Sequence, residues 1–200
     1  RQPGDLRRTV DEFARFARMP APETRTADLV ALVQDAVLLQ RSARSDITFD
    51  TALPDHPIHM DLDATMISQC LTNILKNASE AIDTRREKES EEVPPPWIGV
   101  TLERVGGRAV LEIADNGTGW PQHQRARLFE PYVTTRDKGT GLGLPIVRKI
   151  IEDHAGEIEL LDAPAEAETG HRGARIRIVL PVPDAPADTG NENEQTGRAA

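Results

Sequence analysis

The chain has 200 residues, a formal net charge of -9 and one cysteine. This length suits one self-supporting domain with appendages. The negative charge argues against a nucleic-acid partner, or an anionic membrane surface, held by bulk charge. A single cysteine excludes an intramolecular disulfide and a cysteine-based zinc cluster, and it favours a reducing compartment. No apolar run approaches the roughly 20 residues that span a bilayer.

The first 19 residues have the pattern of an amphipathic helix. An apolar seam of the helical-bundle type is formed by residues spaced four, three and four apart: Leu6, Val10, Phe13 and Ala17. One such helix cannot bury its seam alone, so we expect a partner helix or packing on the chain's own domain. Because the chain also starts without methionine, we interpret it as a piece of a longer protein. Residues 20–26, which begin with Pro20, are expected to form a linker.

Helical and strand patterns alternate from residue 27 to residue 182, which we interpret as the main domain. Three helices are predicted: one from about Leu29, one capped by Asp61 or Asp63, and one from about Leu142 to Asp153. Alternating apolar residues predict strands at 47–50, 58–60, 98–102, 109–113, 158–160 and 176–180. Helices mixed with late strands in hairpin order predict an α/β two-layer sandwich with a mixed sheet. The polar tail, residues 183–200, is expected to be disordered.

The second predicted helix carries two asparagines in the sequence Asn73-Ile74-Leu75-Lys76-Asn77-Ala78. Asn73 and Asn77 are four residues apart, so their amides lie one above the other on the helix. Amide oxygens are hard ligands that suit Mg²⁺, which takes its other ligands from water and phosphates. Solvated or capping amides are the ordinary alternative.

An acidic turn, Asp115-Asn116-Gly117-Thr118-Gly119, follows the strand that ends at Ala114. Two glycines let the backbone turn sharply beside a ligand. The carboxylate can accept a hydrogen bond from an exocyclic amine such as that of adenine. An ordinary Asp-Asn-Gly turn is the alternative.

A glycine-rich segment, Gly139-Thr140-Gly141-Leu142-Gly143-Leu144, runs into the third predicted helix. Alternating glycines allow backbone N–H groups to close on phosphates, and the helix N-terminus adds its positive end. The segment is neither a Walker loop nor a Rossmann fingerprint, because the spacing and following residues differ. Arg136 and Lys138 precede it, and either phosphate contact or simple exposed charge accounts for them.

In their order and spacing, these segments resemble the catalytic, ATP-binding domain of sensor histidine kinases of two-component systems. That domain is part of the gyrase/Hsp90/histidine-kinase/MutL superfamily. Residues 73–78 are similar to its N box, 115–119 to its aspartate-glycine box, Phe129 to its F box and 139–144 to its second glycine box. Residues 10–20 are similar to the end of the second dimerisation helix of nitrogen-regulation kinases of the NtrY type.

The resemblance implies a Bergerat-type ATP-binding fold on three helices, preceded by one dimerisation helix, with ATP and Mg²⁺ as cofactors. It implies that Asn73 and Asn77 are catalytic, and that Asn77 is also the metal ligand. Further nucleotide contacts are implied for Lys76, Asp115, Gly117, Gly119, Arg136, Lys138, Gly139, Thr140, Gly141, Leu142, Gly143 and Leu144. Asn73 stands where hydrolysing relatives have a water-activating glutamate. Because an amide cannot act as a general base, this favours transfer to a protein nucleophile over hydrolysis.

The activity implied is transfer of the γ-phosphate of Mg-ATP to a histidine, for relay to an aspartate of a response-regulator receiver domain. The five histidines, none in an acceptor context, are His56, His59, His123, His154 and His171. We therefore expect the acceptor in the protein's own dimerisation domain, outside this chain. We expect a homodimeric parent, a weak dimer or monomer for this chain, a cytoplasmic location and no nucleic-acid partner, and we leave membrane anchoring of the parent open. The alternatives are a serine kinase or ATPase of the same superfamily, or a nucleotide-sensing module without transfer.

Three further residues carry expectations of their own. His154 ends a predicted helix, where a cation suits the helix dipole, and is expected to be structural. Cys70 falls on an apolar helix face and is expected to be inert core. Trp120 follows the acidic turn and is expected either to cover the nucleotide or to anchor the loop.

Overall fold

The computed structural model describes residues 19–89, 94–121, 123–134, 140–165 and 170–183. The elements in chain order are β1 (Arg25–Asp28), α1 (Leu29–Ala43), β2 (Thr48–Ala52), β3 (His59–Leu62), α2 (Ala64–Lys88), β4 (Trp97–Val105), β5 (Arg108–Asp115), a 3₁₀ helix (Arg125–Phe129), α3 (Gly143–Asp153), β6 (Glu157–Ala165) and β7 (Arg172–Pro181). The predicted first helix and the tail lie outside the described residues, apart from Met19 and Pro183. Within the described ranges, no helix is long and apolar enough to cross a membrane.

Five strands form one mixed sheet in the order β2-β4-β5-β7-β6. β2 is parallel to β4, and the other neighbours are antiparallel. Apolar residues of β4 alternate inward, so Ile98, Val100 and Leu102 are buried in a core shared with the three α-helices. The predicted two-layer α/β sandwich with a mixed sheet is confirmed.

A separate two-stranded sheet pairs β1 antiparallel with β3. The sequence did not predict β1, because this four-residue segment, Arg-Thr-Ala-Asp, is too short and too polar to show a strand pattern. Pairing with β3 holds it, and the Thr26 hydroxyl donates to the Asp61 carboxylate at 2.7 Å. Because β1 begins at Arg25, the folded unit takes in residues that the sequence suggested were linker.

Asp63, rather than Asp61, caps α2. Its Oδ1 atom accepts the N–H groups of Thr65 and Met66, each at 3.0 Å. These backbone donors, led by that of Met66, hold the pKa of Asp63 below its usual value. The helix runs through Lys88. Basic side chains in its last turn suit the negative end of the helix dipole.

Arg44, the residue that follows α1, joins the end of that helix to α2. The Arg44 guanidinium bonds the Asp83 carboxylate at 2.7 and 2.9 Å, and it bonds Asp46 at 2.9 and 3.0 Å. The hydrogen bonds from Arg44 lower the pKa of Asp46 to about 2. Since α2 carries the candidate site, this contact fixes the helix that positions it.

His154 joins the end of α3 to the start of α2. Its Nε2 atom accepts the Asp63 N–H at 2.9 Å, and its Nδ1 atom lies 2.7 Å from the Ile150 carbonyl oxygen. A carbonyl oxygen can only accept a hydrogen bond, so Nδ1 donates to Ile150 and Nε2 accepts from Asp63. These two hydrogen bonds give His154 the structural role that the sequence suggested.

Candidate nucleotide-binding site

Asn77 of α2 faces the first residue of α3. A Cβ atom placed on Gly143 would lie 3.5 Å from Asn77 Nδ2 and 3.9 Å from Oδ1. Among the described residues, no side chain caps α3. An amide oxygen beside a helix N-terminus supplies two parts of a site for a metal-bound phosphate.

Asn73 and Lys76 lie on the same helix as Asn77 but differ in exposure. Asn73 is half-buried, one turn before Asn77. Lys76 is 59% exposed, and its ammonium lies 3.8 Å from the Glu80 carboxylate, one turn along the outer side of α2. The structure therefore places Lys76 beside the site but does not join it to Gly143.

Asp115 ends β5 with its side chain on the helix-covered face of the sheet, since it pairs in register with the inward-facing Ile98. It is 6% exposed. Its Oδ1 atom accepts the Gly117 N–H at 2.8 Å, which forms the local turn expected of Asp before glycine. The predicted turn is present, and the recognition of a ligand amine by Asp115 stays a prediction.

The loop after Asp115 rests directly on the backbone of α2. A Cβ atom on Gly117 would lie 2.6 Å from the Ala81 carbonyl carbon, so only glycine permits this approach. The Thr118 N–H donates to the Ala81 carbonyl oxygen at 3.3 Å. The helix therefore sets the position of the acidic loop.

A buried arginine makes a second contact between α2 and this loop. Arg85 is 2% exposed, and its Nη1 atom donates to the Asn116 carbonyl oxygen at 2.8 Å. Asn77, Ala81 and Arg85 are spaced four residues apart along α2, so they lie on one face of the helix. That face presents the proposed metal ligand at one end and holds the acidic loop at the other. Arg85 was not predicted as a site residue, because it stands beside a run of charged residues and outside the motifs.

His171 and the first two residues of β7 form the other wall of the acidic loop. A Cβ atom on Gly173 would lie 1.8 Å from the Asp115 carbonyl oxygen. Gly119 has a φ of +70°, and its added Cβ would lie 2.5 Å from the Arg172 carbonyl oxygen. His171 Nε2 lies 2.7 Å from the Gly117 carbonyl oxygen. The sequence analysis missed this wall, although Gly170 and Gly173 before a strand were a usable signal.

The glycine-rich segment is described from Thr140 onward, and the predicted contacts Arg136, Lys138 and Gly139 lie outside the described residues. Gly141 has a φ of +69°, and an added Cβ would lie 2.7 Å from the Tyr132 backbone. The Tyr132 N–H donates to the Gly141 carbonyl oxygen at 3.1 Å. This glycine is therefore required by both backbone angle and space.

Two predicted nucleotide contacts are anchored in the protein interior. Leu142 is 1% exposed, and the half-buried Leu144 packs against the core. Their side chains hold the start of α3, which leaves only their backbone groups for a phosphate. The half-buried Thr140 stands just before them.

Trp120 and Phe129 hold the segment between the acidic loop and the glycine-rich segment. Trp120 Nε1 donates to the Leu161 carbonyl oxygen at 2.6 Å, and the ring packs against the core. This favours a loop anchor over a nucleotide cover. The Arg148 guanidinium of α3 lies 5.2 Å from the centre of the Phe129 ring, at cation–π distance.

A separate cavity of about 190 Å³ opens on the uncovered face of the sheet. Its lining includes Trp97 and Gly173, which alternate with the inward-facing Ile98 and Ala174. Its lining also includes Asp115 and Asn116 of the acidic loop, and it does not include Asn77.

Residues 62–184 match the sequence model of the family described as histidine kinase-, DNA gyrase B-, and HSP90-like ATPase. The chain is 49% identical over 185 residues to nitrogen regulation protein NtrY of Azorhizobium caulinodans, covering 90% of the chain and 22% of that protein. It is 26% identical over 179 residues to signal transduction histidine-protein kinase AtoS of Escherichia coli, covering 88% of the chain and 27% of that protein. The chain thus spans less than a third of these relatives.

Solved structures agree with the sequence matches. The mycobacterial sensor histidine kinase MprB superposes with a TM-score of 0.65 at 28% identity, covering 79% of this chain and 97% of that one. The catalytic domain of histidine kinase ThkA superposes with a TM-score of 0.64 at 27% identity, covering 80% and 96%. The fold also matches ThkA in complex with response regulator protein TrrA, with a TM-score of 0.69 at 22% identity, covering 90% and 48%.

Proposed function

Because the chain belongs to the histidine kinase-, DNA gyrase B-, and HSP90-like ATPase family, we propose that it is the catalytic domain of a two-component sensor histidine kinase. The observation that carries this proposal is the placement of Asn77 against Gly143, with the Asp115 loop fixed to the same helix. Helix α2 thereby fixes the distances between the proposed metal ligand, the helix N-terminus that would face the phosphates and the carboxylate that would bind adenine.

Each part of Mg-ATP has a counterpart in this arrangement. The Asp115 carboxylate would accept a hydrogen bond from the adenine amino group, beside the loop that contains Gly117 and Gly119. Backbone N–H groups from Gly141 to Gly143, with the positive end of α3, would face the phosphates. Mg²⁺ fits a site that offers one protein amide oxygen, from Asn77, because it keeps several water ligands and binds phosphate oxygens.

We assign the chemistry to phosphoryl transfer. A nitrogen of an acceptor imidazole would form a bond to the γ-phosphorus as the bond to the β-phosphate oxygen breaks, which releases ADP. The phosphoryl group would then pass to an aspartate of a receiver domain. Positioning and charge stabilisation supply most of the catalysis in such reactions. Asn73 supports transfer over hydrolysis, because its amide cannot take a proton from water.

The acceptor histidine is assigned to the protein's own dimerisation domain. Within this chain, His154 is buried in hydrogen bonds between α2 and α3, and His171 contacts the acidic loop. Neither stands free to approach a phosphate. We infer a homodimeric parent, a response-regulator partner and a cytoplasmic location, where ATP is supplied. The chain by itself is then a weak dimer or a monomer.

Titration calorimetry with ATP tests the first step of this proposal. The folded chain is expected to bind ATP more tightly with Mg²⁺ than with EDTA, because the Asn77 amide acts through the metal. Binding of GTP in parallel is the matched control, since the adenine amine is the group that Asp115 reads. Absence of ATP binding by folded protein, or equal binding of GTP, would refute the assignment.

A further inference from the structure

His171 connects the segment before β7 to the loop that we assign to adenine. Its Nε2 atom lies 2.7 Å from the Gly117 carbonyl oxygen, and the residue is half-buried. Because a carbonyl only accepts hydrogen bonds, the ring must carry a proton on Nε2 and donate it. This is a directional side-chain bond to the residue whose N–H group orients Asp115.

The loop needs such a bond because of its composition. Gly117 and Gly119 are required by close backbone contacts with α2 and with Arg172. Glycine also has the widest choice of backbone angles, so a loop with two glycines loses more entropy on ordering than other loops do. A side chain that holds the Gly117 peptide restricts that freedom before a ligand arrives.

We propose that His171 is a positioning residue for the nucleotide. By holding the Gly117 carbonyl it fixes the turn in which the Gly117 N–H bonds Asp115 Oδ1, and so fixes the direction of the adenine-reading carboxylate. His171 acts through this loop and is not itself assigned a contact with ATP. The inference rests on the proposed function of Asp115, but the hydrogen bond that it invokes can be tested without nucleotide.

Two substitutions separate the hydrogen bond from the bulk of the side chain. His171→Leu removes the donor and keeps an apolar side chain of similar reach. His171→Gln keeps an N–H donor near the position of Nε2. His56→Leu is the matched control, because His56 is an exposed residue of the loop between β2 and β3.

Three measurements on the full chain give the expected pattern. The dissociation constant for Mg-ATP, by calorimetry, rises roughly three- to tenfold in His171→Leu, the range for loss of one hydrogen bond. It stays within about twofold of wild type in His171→Gln and His56→Leu. Without nucleotide, the amides of residues 116–119 exchange hydrogen faster in His171→Leu than in the other variants, while all melting temperatures agree within a few degrees.

The contrary outcomes are distinct from one another. Unchanged affinity and exchange in His171→Leu would overturn the role of His171 and leave the proposed function intact. Weakened binding in both His171 variants, with a shared drop in melting temperature, would show a packing role and also overturn it. Failure of wild-type protein to bind ATP, with exchange changed as expected, would refute the proposed function and the positioning of nucleotide, while the loop contact itself would stand.

Discussion

The side chain of Asn77 lies against the backbone of Gly143, where α2 passes the start of α3. A Cβ atom placed on Gly143 would lie 3.5 Å from Asn77 Nδ2. These residues are far apart in sequence and come from segments that each have ordinary alternative explanations. Their contact places a possible metal ligand, the Asn77 amide, beside a possible phosphate-binding group, the N-terminus of α3.

Asn77→Ala is expected to remove the Mg²⁺ dependence of ATP binding. The residue is half-buried, so the loss of its amide should leave the fold intact. Calorimetry with and without Mg²⁺ should give one affinity for the variant and two for wild type. Asn73→Ala is the matched control, since it removes the same group one turn away; an equal loss of Mg²⁺ dependence there would deny Asn77 its special role.

Asp115→Asn is expected to weaken ATP binding at least tenfold, about 1.4 kcal/mol or more. The asparagine oxygen can still accept the Gly117 N–H, which keeps the turn, but its NH₂ group opposes the adenine amine. Unchanged melting temperature with reduced affinity is the pattern sought by calorimetry and thermal unfolding. Asp55→Asn, in an exposed loop, should change neither; equal ATP affinity in wild type and Asp115→Asn would remove Asp115 from the site.

Gly141→Ala is expected to impair ATP binding far more than Gly143→Ala. At Gly141 a Cβ atom would lie 2.7 Å from the Tyr132 backbone at a φ of +69°, which costs about 1–2 kcal/mol in strain alone. At Gly143 the nearest contact of an added Cβ atom is Asn77 Nδ2 at an ordinary 3.5 Å, and alanine favours the helix. Dissociation constants for both variants check the order, and a reversed order would contradict the described geometry.

The bond between Arg44 and Asp46 should contribute to stability only above strongly acidic pH. The pKa of Asp46 is lowered from 3.8 to about 2 in the folded chain, so its contribution is complete above about pH 4. It is lost as the pH falls from about 4 to about 2. Urea unfolding of Asp46→Asn should therefore show a stability deficit at pH 7 that shrinks towards pH 2. A deficit that grows with acid would have the wrong sign.

Cys70 should resist thiol reagents in the folded protein. The side chain is 1% exposed, and burial raises the pKa of its thiol to about 12. Thiolate is the reactive form, so both access and ionisation oppose reaction. An aromatic disulfide reagent at pH 8 should label no thiol in native protein and one per chain in urea. Rapid native labelling would show that the helix face opens.

Periodicity was sufficient to predict the layers of the fold. The inward side of β4 and the buried face of α2 follow from apolar spacing alone, because burial on one side is what creates that spacing. β1 escaped prediction because its four residues depend on pairing with β3 rather than on their own pattern. Likewise Asp61 and Asp63 looked equivalent as caps until the fold assigned one to β3 and the other to α2.

The sequence predicted the candidate ligand-binding residues but not the residues that hold them in position. Asn77, Asp115 and the glycines stand out by residue type at turns and on one helix face. Arg85 and His171 act on backbone carbonyl groups of a distant loop, and such contacts leave no periodic trace in a sequence. The hydrogen bond between His154 and the Asp63 N–H was missed for the same reason, because the two residues are far apart in the chain.

Phosphate transfer in trans is the most direct test that this chain donates the γ-phosphate of ATP to a histidine. The chain would be incubated with Mg-ATP labelled on the γ-phosphate and with the separately produced dimerisation domain of the similar NtrY protein. The expected result is acid-labile, alkali-stable label on a histidine of that domain, which is absent when that histidine is replaced by glutamine and absent with Asn77→Ala. Release of inorganic phosphate without labelled histidine, by a chain that binds ATP, would refute the proposed histidine kinase activity.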